Sequence, residues 1–308
     1  MPLLRRGWTF QDRLLPTRTI HFTTTQIFWE CYETFACECL SEIIPDDIIE
    51  FVESFHKEPI DISMWGWIVQ IYSTRDLTKS SDKLVAISGL ARKIQEQTHV
   101  EYLAGLWRNG LELQLCWSRW DPLDNPLDED FPYRAPTWSW ASQRGGVALP
   151  WRSKYSESCH LYVNVLEVKT TPLGQDPLGG IADGYLNINC TLFSLGLPEN
   201  CLNVPPRGIL TLSQLGYDDK RRTYSKTSYF LPVQLYGKDH DKIIGLILEP
   251  TKMARGQYKR VGMFDFEGPN IGGSIEEISK NRDFAAQESD YISFQQDTKG
   301  EKRCIQII

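Results

Sequence analysis

The sequence predicts an α+β fold in which an N-terminal hairpin and a helical layer precede an antiparallel β-sandwich or partial barrel. Three observations lead there. Between residues 61 and 117, apolar residues recur at the three- and four-residue spacing of helices. From residue 161 onward they alternate or cluster in short runs separated by Gly, Pro and Asp, as strands do. The two regimes meet at Ala135-Pro-Thr-Trp-Ser-Trp-Ala-Ser142, where Trp138 and Trp140 alternate with small residues and read as a strand with both indoles on one face. The expected units are 1–40, a helical region 41–130, a β-rich region 131–270 and a weakly structured segment 271–308.

Taken in order, Met1 to Asp12 reads as a short helix. Arg18-Thr-Ile-His-Phe22 and Gln26-Ile-Phe-Trp-Glu30 read as a hairpin that pairs Ile20 and Phe22 with Ile27 and Trp29. An isolated hairpin is marginal in water, so it must pack on other structure. Asp61 is a capping candidate for a helix with the stripe Ile62, Trp65, Ile68, Val69, Tyr72. Ser80 or Ser81 can cap a second, striped by Leu84, Ile87, Leu90, Ala91 and Ile94. Tyr102 to Trp117 reads as a third, bent or broken around Gly110. An acidic, Pro-broken loop follows at 121–130.

In the second half, Leu161 to Val168 is apolar-rich, and Leu186, Ile188, Cys190 and Leu192 alternate with Asn187, Asn189 and Thr191. Leu231, Val233 and Leu235 form one face of a strand that Pro232 suggests lies at an edge. Ile243 to Leu248 and Tyr258 to Phe266 are the next strands, joined to it through a polar turn at 237–242.

Composition excludes several classes. With 308 residues, 41% of them apolar, the chain can bury a full core. A net charge of -7 argues against a nucleic-acid or anionic-membrane surface, both of which need clustered Lys and Arg. No run approaches the ~20 apolar residues of a membrane helix and no leader-type stretch opens the sequence, so a cytoplasmic location is expected. Of the eight cysteines, Cys31, Cys37 and Cys39 form the only close group, and no second half-site follows them, so no metal is expected. Neither a Gly-rich phosphate cradle nor a metallohydrolase or nucleophile-elbow motif occurs, so no cofactor and no catalytic residue is assigned. The five His are scattered; His21, inside the hairpin, faces solvent or a satisfied partner. Asp82 offsets a helix dipole. For Trp138 and Trp140, a core staple outweighs a ligand platform in a chain with ten Trp.

Four blocks in order carry a resemblance. Arg6-Gly-Trp-Thr-Phe-Gln-Asp12, followed by Arg18-Thr-Ile-His-Phe22 and Trp29-Glu30-Cys31, resembles the closing motif of the fungal heterokaryon-incompatibility (HET) domain, which reads Arg-x-Trp-Thr-Leu-Gln-Glu. Arg75-Asp-Leu-Thr78 with Ser88-Gly-Leu-Ala91, Tyr102-Leu-Ala-Gly-Leu-Trp107 and the Trp138/Trp140 block are similar to the region that follows that domain. Phe10 stands for the usual Leu and Asp12 for the usual Glu. The resemblance implies that 1–40 is the end of a HET domain whose beginning is not in this sequence. The residues carried over are Arg6, Trp8, Thr9, Gln11 and Asp12, with Trp138 and Trp140, as family-motif positions.

Three functions stay open. The first is a non-catalytic, protein-binding C-terminal portion of a HET-like protein, which the resemblance associates with fungal non-self recognition and programmed cell death. The second is a fragment of an NAD-cleaving enzyme, because HET domains resemble TIR domains, some of which cleave NAD. The third is a β-rich ligand-binding module with Trp138 or Trp140 in its wall.

Overall fold

Helix α1 (Trp8–Leu14) opens the computed structural model, which describes residues 5–22, 24, 26–31, 35–38, 62–119, 133–150, 160–194, 202–204, 208–217, 228–237, 241–268, 271–273, 275, 286–297 and 300–308. No side chain caps α1; backbone bonds hold its start, Gly7 N to Asp76 O at 2.8 Å and Asp76 N to Arg5 O at 2.6 Å. Phe10 and Leu14 are its buried residues. Strands β1 (Arg18–Phe22) and β2 (Ile27–Cys31) form the expected hairpin, with Ile20 opposite Trp29 and Phe22 opposite Ile27. A third strand, β3 (Phe35–Cys37), pairs with β2.

The helical layer is smaller than the periodicity suggests. A 3-10 turn at Ile62–Met64 leads into α2 (Trp65–Tyr72), which buries Trp65, Ile68, Val69 and Tyr72; Asp61 lies outside the described residues. Ser80 and Ser81 cap no helix: they lie in a 3-10 turn, a second such turn covers Val85–Ile87, and only then does α3 (Ser88–Thr98) begin. The third expected helix is not one. Tyr102–Leu103 (β4) and Leu106–Trp107 (β5) make a tight hairpin, and a single helical turn, α4 (Leu111–Gln114), follows.

The backbone explains that correction. Ala104 and Gly105 sit at φ 47° and 97°, the positive values that a two-residue hairpin of the primed kind requires at both central positions. Gly110, at φ 68°, stands immediately before α4 in a left-handed conformation. Tyr102, Leu103, Leu106, Trp107, Leu111 and Leu115 are all buried, so a sequence surrounded on every side carries a pattern that helical spacing fits by accident.

The Trp138/Trp140 segment is also not a strand. Ser139 N donates to Pro136 O, and the Ser139 hydroxyl accepts from Ala141 N and caps a 3-10 turn at Trp140–Ser142. Pro and Ser set a turn here, overriding the alternation. On either side of this region β6 (Ser118–Arg119) and β7 (Val147–Ala148) pair. The acidic loop at 121–130 lies outside the described residues.

The second half is one large, mostly antiparallel sheet. Its strands are β8 (His160–Leu161), β9 (Asn164–Pro172), β10 (Ile181–Asn189), β11 (Phe193–Ser194), β12 (Leu202–Val204), β13 (Gly208–Tyr217), β14 (Tyr229–Tyr236), β15 (Lys242–Pro250), β16 (Gln257–Glu267), β17 (Ser293–Asp297) and β18 (Gly300–Ile307). The main path runs β11-β14-β15-β16-β18-β10-β9. It forks at β16: one edge pairs β15 throughout, and the other meets β18 in parallel at residues 257–258 and β13 antiparallel at 262–267. Leu186, Ile188, Cys190 and Leu192 are buried as their alternation predicts.

Two expectations are corrected here. Pro232 does not mark an edge strand, because β14 has neighbours on both sides. Its missing N–H falls at the register shift between Pro232 and Gln234, in the gap between the residues paired to β11 and those paired to β8. Nor is the C-terminal segment weakly structured in its described part. Ile305 and Ile307 are fully buried where β18 fills the sheet between β16 and β10.

The core follows from this arrangement. One cluster joins α1, the helical layer and one face of the sheet; a second, with Phe230, Ile243, Ile247, Phe264 and Phe266, covers the opposite face of β14–β16. No helix among the described residues is long and apolar enough to cross a membrane.

Candidate functional site

The motif residues on α1 contact the chain itself. Arg6 makes a parallel bridge with Asp76, Thr9 Oγ1 donates to Arg6 O at 2.8 Å, and the half-exposed Trp8 donates its indole N–H to Asp82 at 3.3 Å. Gln11 Oε1 accepts the Gly89 N–H at 3.1 Å, near the start of α3, where N–H groups lack partners within the helix. A Cβ at Gly89 would stand 2.8 Å from that oxygen, so the two elements meet because residue 89 has no side chain. Asp12 is exposed. The motif therefore docks α1 onto the α3 side of the helical layer, with Phe10 packed 5.7 Å from the Tyr72 ring.

Trp138 and Trp140 close a second lock. Both are 0% exposed, so neither offers a face to a ligand. Gly105 O accepts two indole N–H groups, from Trp65 at 2.8 Å and Trp140 at 2.7 Å, while Ala104 O accepts the Ser139 hydroxyl at 2.5 Å. Trp117 donates to Trp138 O at 2.9 Å. Two blocks distant in sequence, Tyr102 to Trp107 and Ala135 to Ser142, thus meet through backbone carbonyls that are presented by a hairpin turn. On its other side the segment holds the sheet: Thr137 N and Oγ1 both donate to Ile308 O, and Thr137 Oγ1 accepts from Arg260 N.

Buried cations, which residue spacing did not reveal, surround this lock. Lys83 is 5% exposed; its ammonium donates to Gln143 O at 2.5 Å and lies 5.2 Å from the centre of the Trp140 ring. Burial, together with the nearby Arg134 and Arg119, holds Lys83 well below the usual lysine range. Arg134 donates to Ser142 O at 2.8 Å, and burial beside Arg144 brings it down to about 10. Both side chains donate to carbonyls at the end of the 3-10 turn. Arg260, also buried, donates to the Leu115 and Trp117 carbonyls and stacks 3.3 Å from the Trp117 ring centre.

One carboxylate carries the electrostatics of the N-terminal unit. Glu30, 3% exposed, accepts Arg13 Nε at 3.1 Å and pairs with His21 Nε2 at 3.0 Å, so α1 and the hairpin share it. His21, read from the sequence as facing solvent or a satisfied partner, has its partner in Glu30. Burial pushes the Glu30 carboxyl up, but hydrogen bonds from His21 and Arg13 outweigh it and leave the group below its ordinary value. A carboxyl lowered on folding stabilises the protein above its unfolded value and loses that contribution as pH falls through the lower folded one. Glu30→Gln is therefore expected to cost about 1–3 kcal/mol at neutral pH and to flatten the loss of stability below pH ~4. Urea titrations at neutral and acid pH check this; an equal effect at both pH values would contradict it.

Among the described residues, no group of three or more His, Cys, Asp and Glu could hold a metal ion. Cys31 and Cys37 are half-buried and not disulfide-bonded, and Cys39 lies outside the described residues. Comparison of the chain with protein-family models, curated proteins and solved structures gives no match.

Proposed function

We propose that this chain is a non-catalytic, protein-binding portion of a HET-like protein, acting in fungal non-self recognition and the cell death it triggers. The observation that carries the reading is the use made of the motif. Trp8, Thr9 and Gln11 are engaged with Asp82, Arg6 O and Gly89, as parts of a docking helix would be. Exposed apolar side chains, Trp8 at 42% on α1 and Ile20 at 51% and Phe22 at 76% on β1, suit a surface for protein partners. Purified residues 1–308 are expected to hydrolyse no NAD above a heat-killed control. Turnover that disappears in Asp12→Ala would overturn the proposal in favour of an NAD-cleaving enzyme.

A further inference from the structure

Strand β9 closes one end of the large sheet, and among the described residues nothing pairs with its outer edge. An uncovered strand of nine residues presents unpaired backbone donors and acceptors, which proteins ordinarily cover or interrupt. This edge is interrupted at both ends and open between them. At Val165, Glu112 Oε1 accepts the N–H at 3.2 Å and Arg108 donates to the carbonyl at 3.1 Å. At the far end Pro172 has no N–H to offer. The open stretch between these stops is centred on Val168.

The side chains of that stretch are self-complementary. Glu167 and Lys169 are exposed and lie on the same face of β9, either side of Val168. In antiparallel pairing, directly opposed residues share a face. A two-fold axis through Val168 therefore sets Glu167 of one copy opposite Lys169 of the other, twice. Shifting the axis to Glu167 or Lys169 would instead oppose two like charges. Glu167 is already oriented by Asn187 Nδ2 at 2.8 Å and Tyr185 OH at 3.4 Å, and a carboxylate has acceptor capacity left for a third donor. Leu166, 53% exposed at the register shift where it has no partner on β10, would face Thr170 of the second copy.

We propose that the open edge of β9 is an interface between two copies of this chain, joined antiparallel about Val168 with reciprocal Glu167–Lys169 pairs. A closed two-fold contact of this kind continues the sheet from one copy into the next.

The test is the oligomeric state by sedimentation velocity over a concentration series, on the full chain and three charge variants. The wild type is expected to dimerise. Lys169→Glu, which leaves the Glu167 bonds to Tyr185 and Asn187 intact, is expected to raise the dissociation constant about tenfold or more by opposing like charges twice. Glu167→Lys should act the same way, and the double variant Glu167→Lys/Lys169→Glu should restore the dimer by exchanging the partners. Unchanged thermal melting of Lys169→Glu at low concentration separates lost association from lost folding. A wild type that stays monomeric, a dimer indifferent to Lys169→Glu, or a folded double variant that stays monomeric would each overturn the proposal.

Discussion

Trp140→Ala is expected to cost about 3–5 kcal/mol, because a fully buried indole is removed from a packed interior that cannot collapse around the void. Trp138→Ala should cost a similar amount, for the same reason. The Phe variants should separate the two positions. Trp140 donates to Gly105 O, whereas the Trp138 N–H, equally buried, has no hydrogen-bond partner among the described residues. Trp140→Phe therefore loses a bond of roughly 0.5–1.5 kcal/mol beyond its change in volume. Trp138→Phe loses volume alone and should be the milder. Thermal and chemical unfolding of the four variants decides the matter; near-native melting of both Ala variants would remove the two rings from the core.

Gly105→Ala is expected to be nearly as damaging, though it adds only one carbon. At φ 97° an L side chain is strained, and the added Cβ would stand 2.7 Å from Trp140 Nε1, the atom that must reach the Gly105 carbonyl. Left-handed backbone costs roughly 1–2 kcal/mol for a residue with a side chain, and overpacking adds about 1–3 kcal/mol more. The neighbouring position supplies the control. Ala104 already adopts φ 47°, so Ala104→Gly should be neutral or slightly stabilising. Equal destabilisation at both positions, measured by urea unfolding, would show that the turn conformation is not what matters.

The hairpin and the core of the large sheet were legible in the sequence because one face of each strand differs from the other. In β1 and β2 the alternation specifies the register that pairs Ile20 with Trp29, and in β10 it specifies which residues are buried. Where all sides are buried that contrast vanishes, and Tyr102 to Trp117 read as a helix although it holds a hairpin. At Trp138 the alternation was present but was overruled locally by Pro136 and Ser139. Strand β18 was missed because only Ile305 and Ile307 mark its buried face, and charged residues crowd its start.

Of the candidate site, the motif positions were visible and their engagement with Asp82 and Gly89 was not, since those partners lie more than seventy residues away. Lys83 was hidden for a related reason. Nothing in its spacing marks it as buried, and only the fold brings Trp140 and Gln143 to it.

The union of Thr137, Tyr258 and Ile308 has a consequence for how the fold is reached. Ile308 N donates to Tyr258 O and its carbonyl accepts from Thr137, so this junction ties together positions up to 171 residues apart. Synthesis is directional, and the helical layer and β14–β16 leave the ribosome before β18 has been made. During that interval the inner edges of β10 and β16 lack the strand that belongs between them. Contacts this distant in sequence form late and slowly, and unpaired edges are where nascent chains associate wrongly. The sheet can thus close between β10 and β16 only after every strand described before β18 has been made.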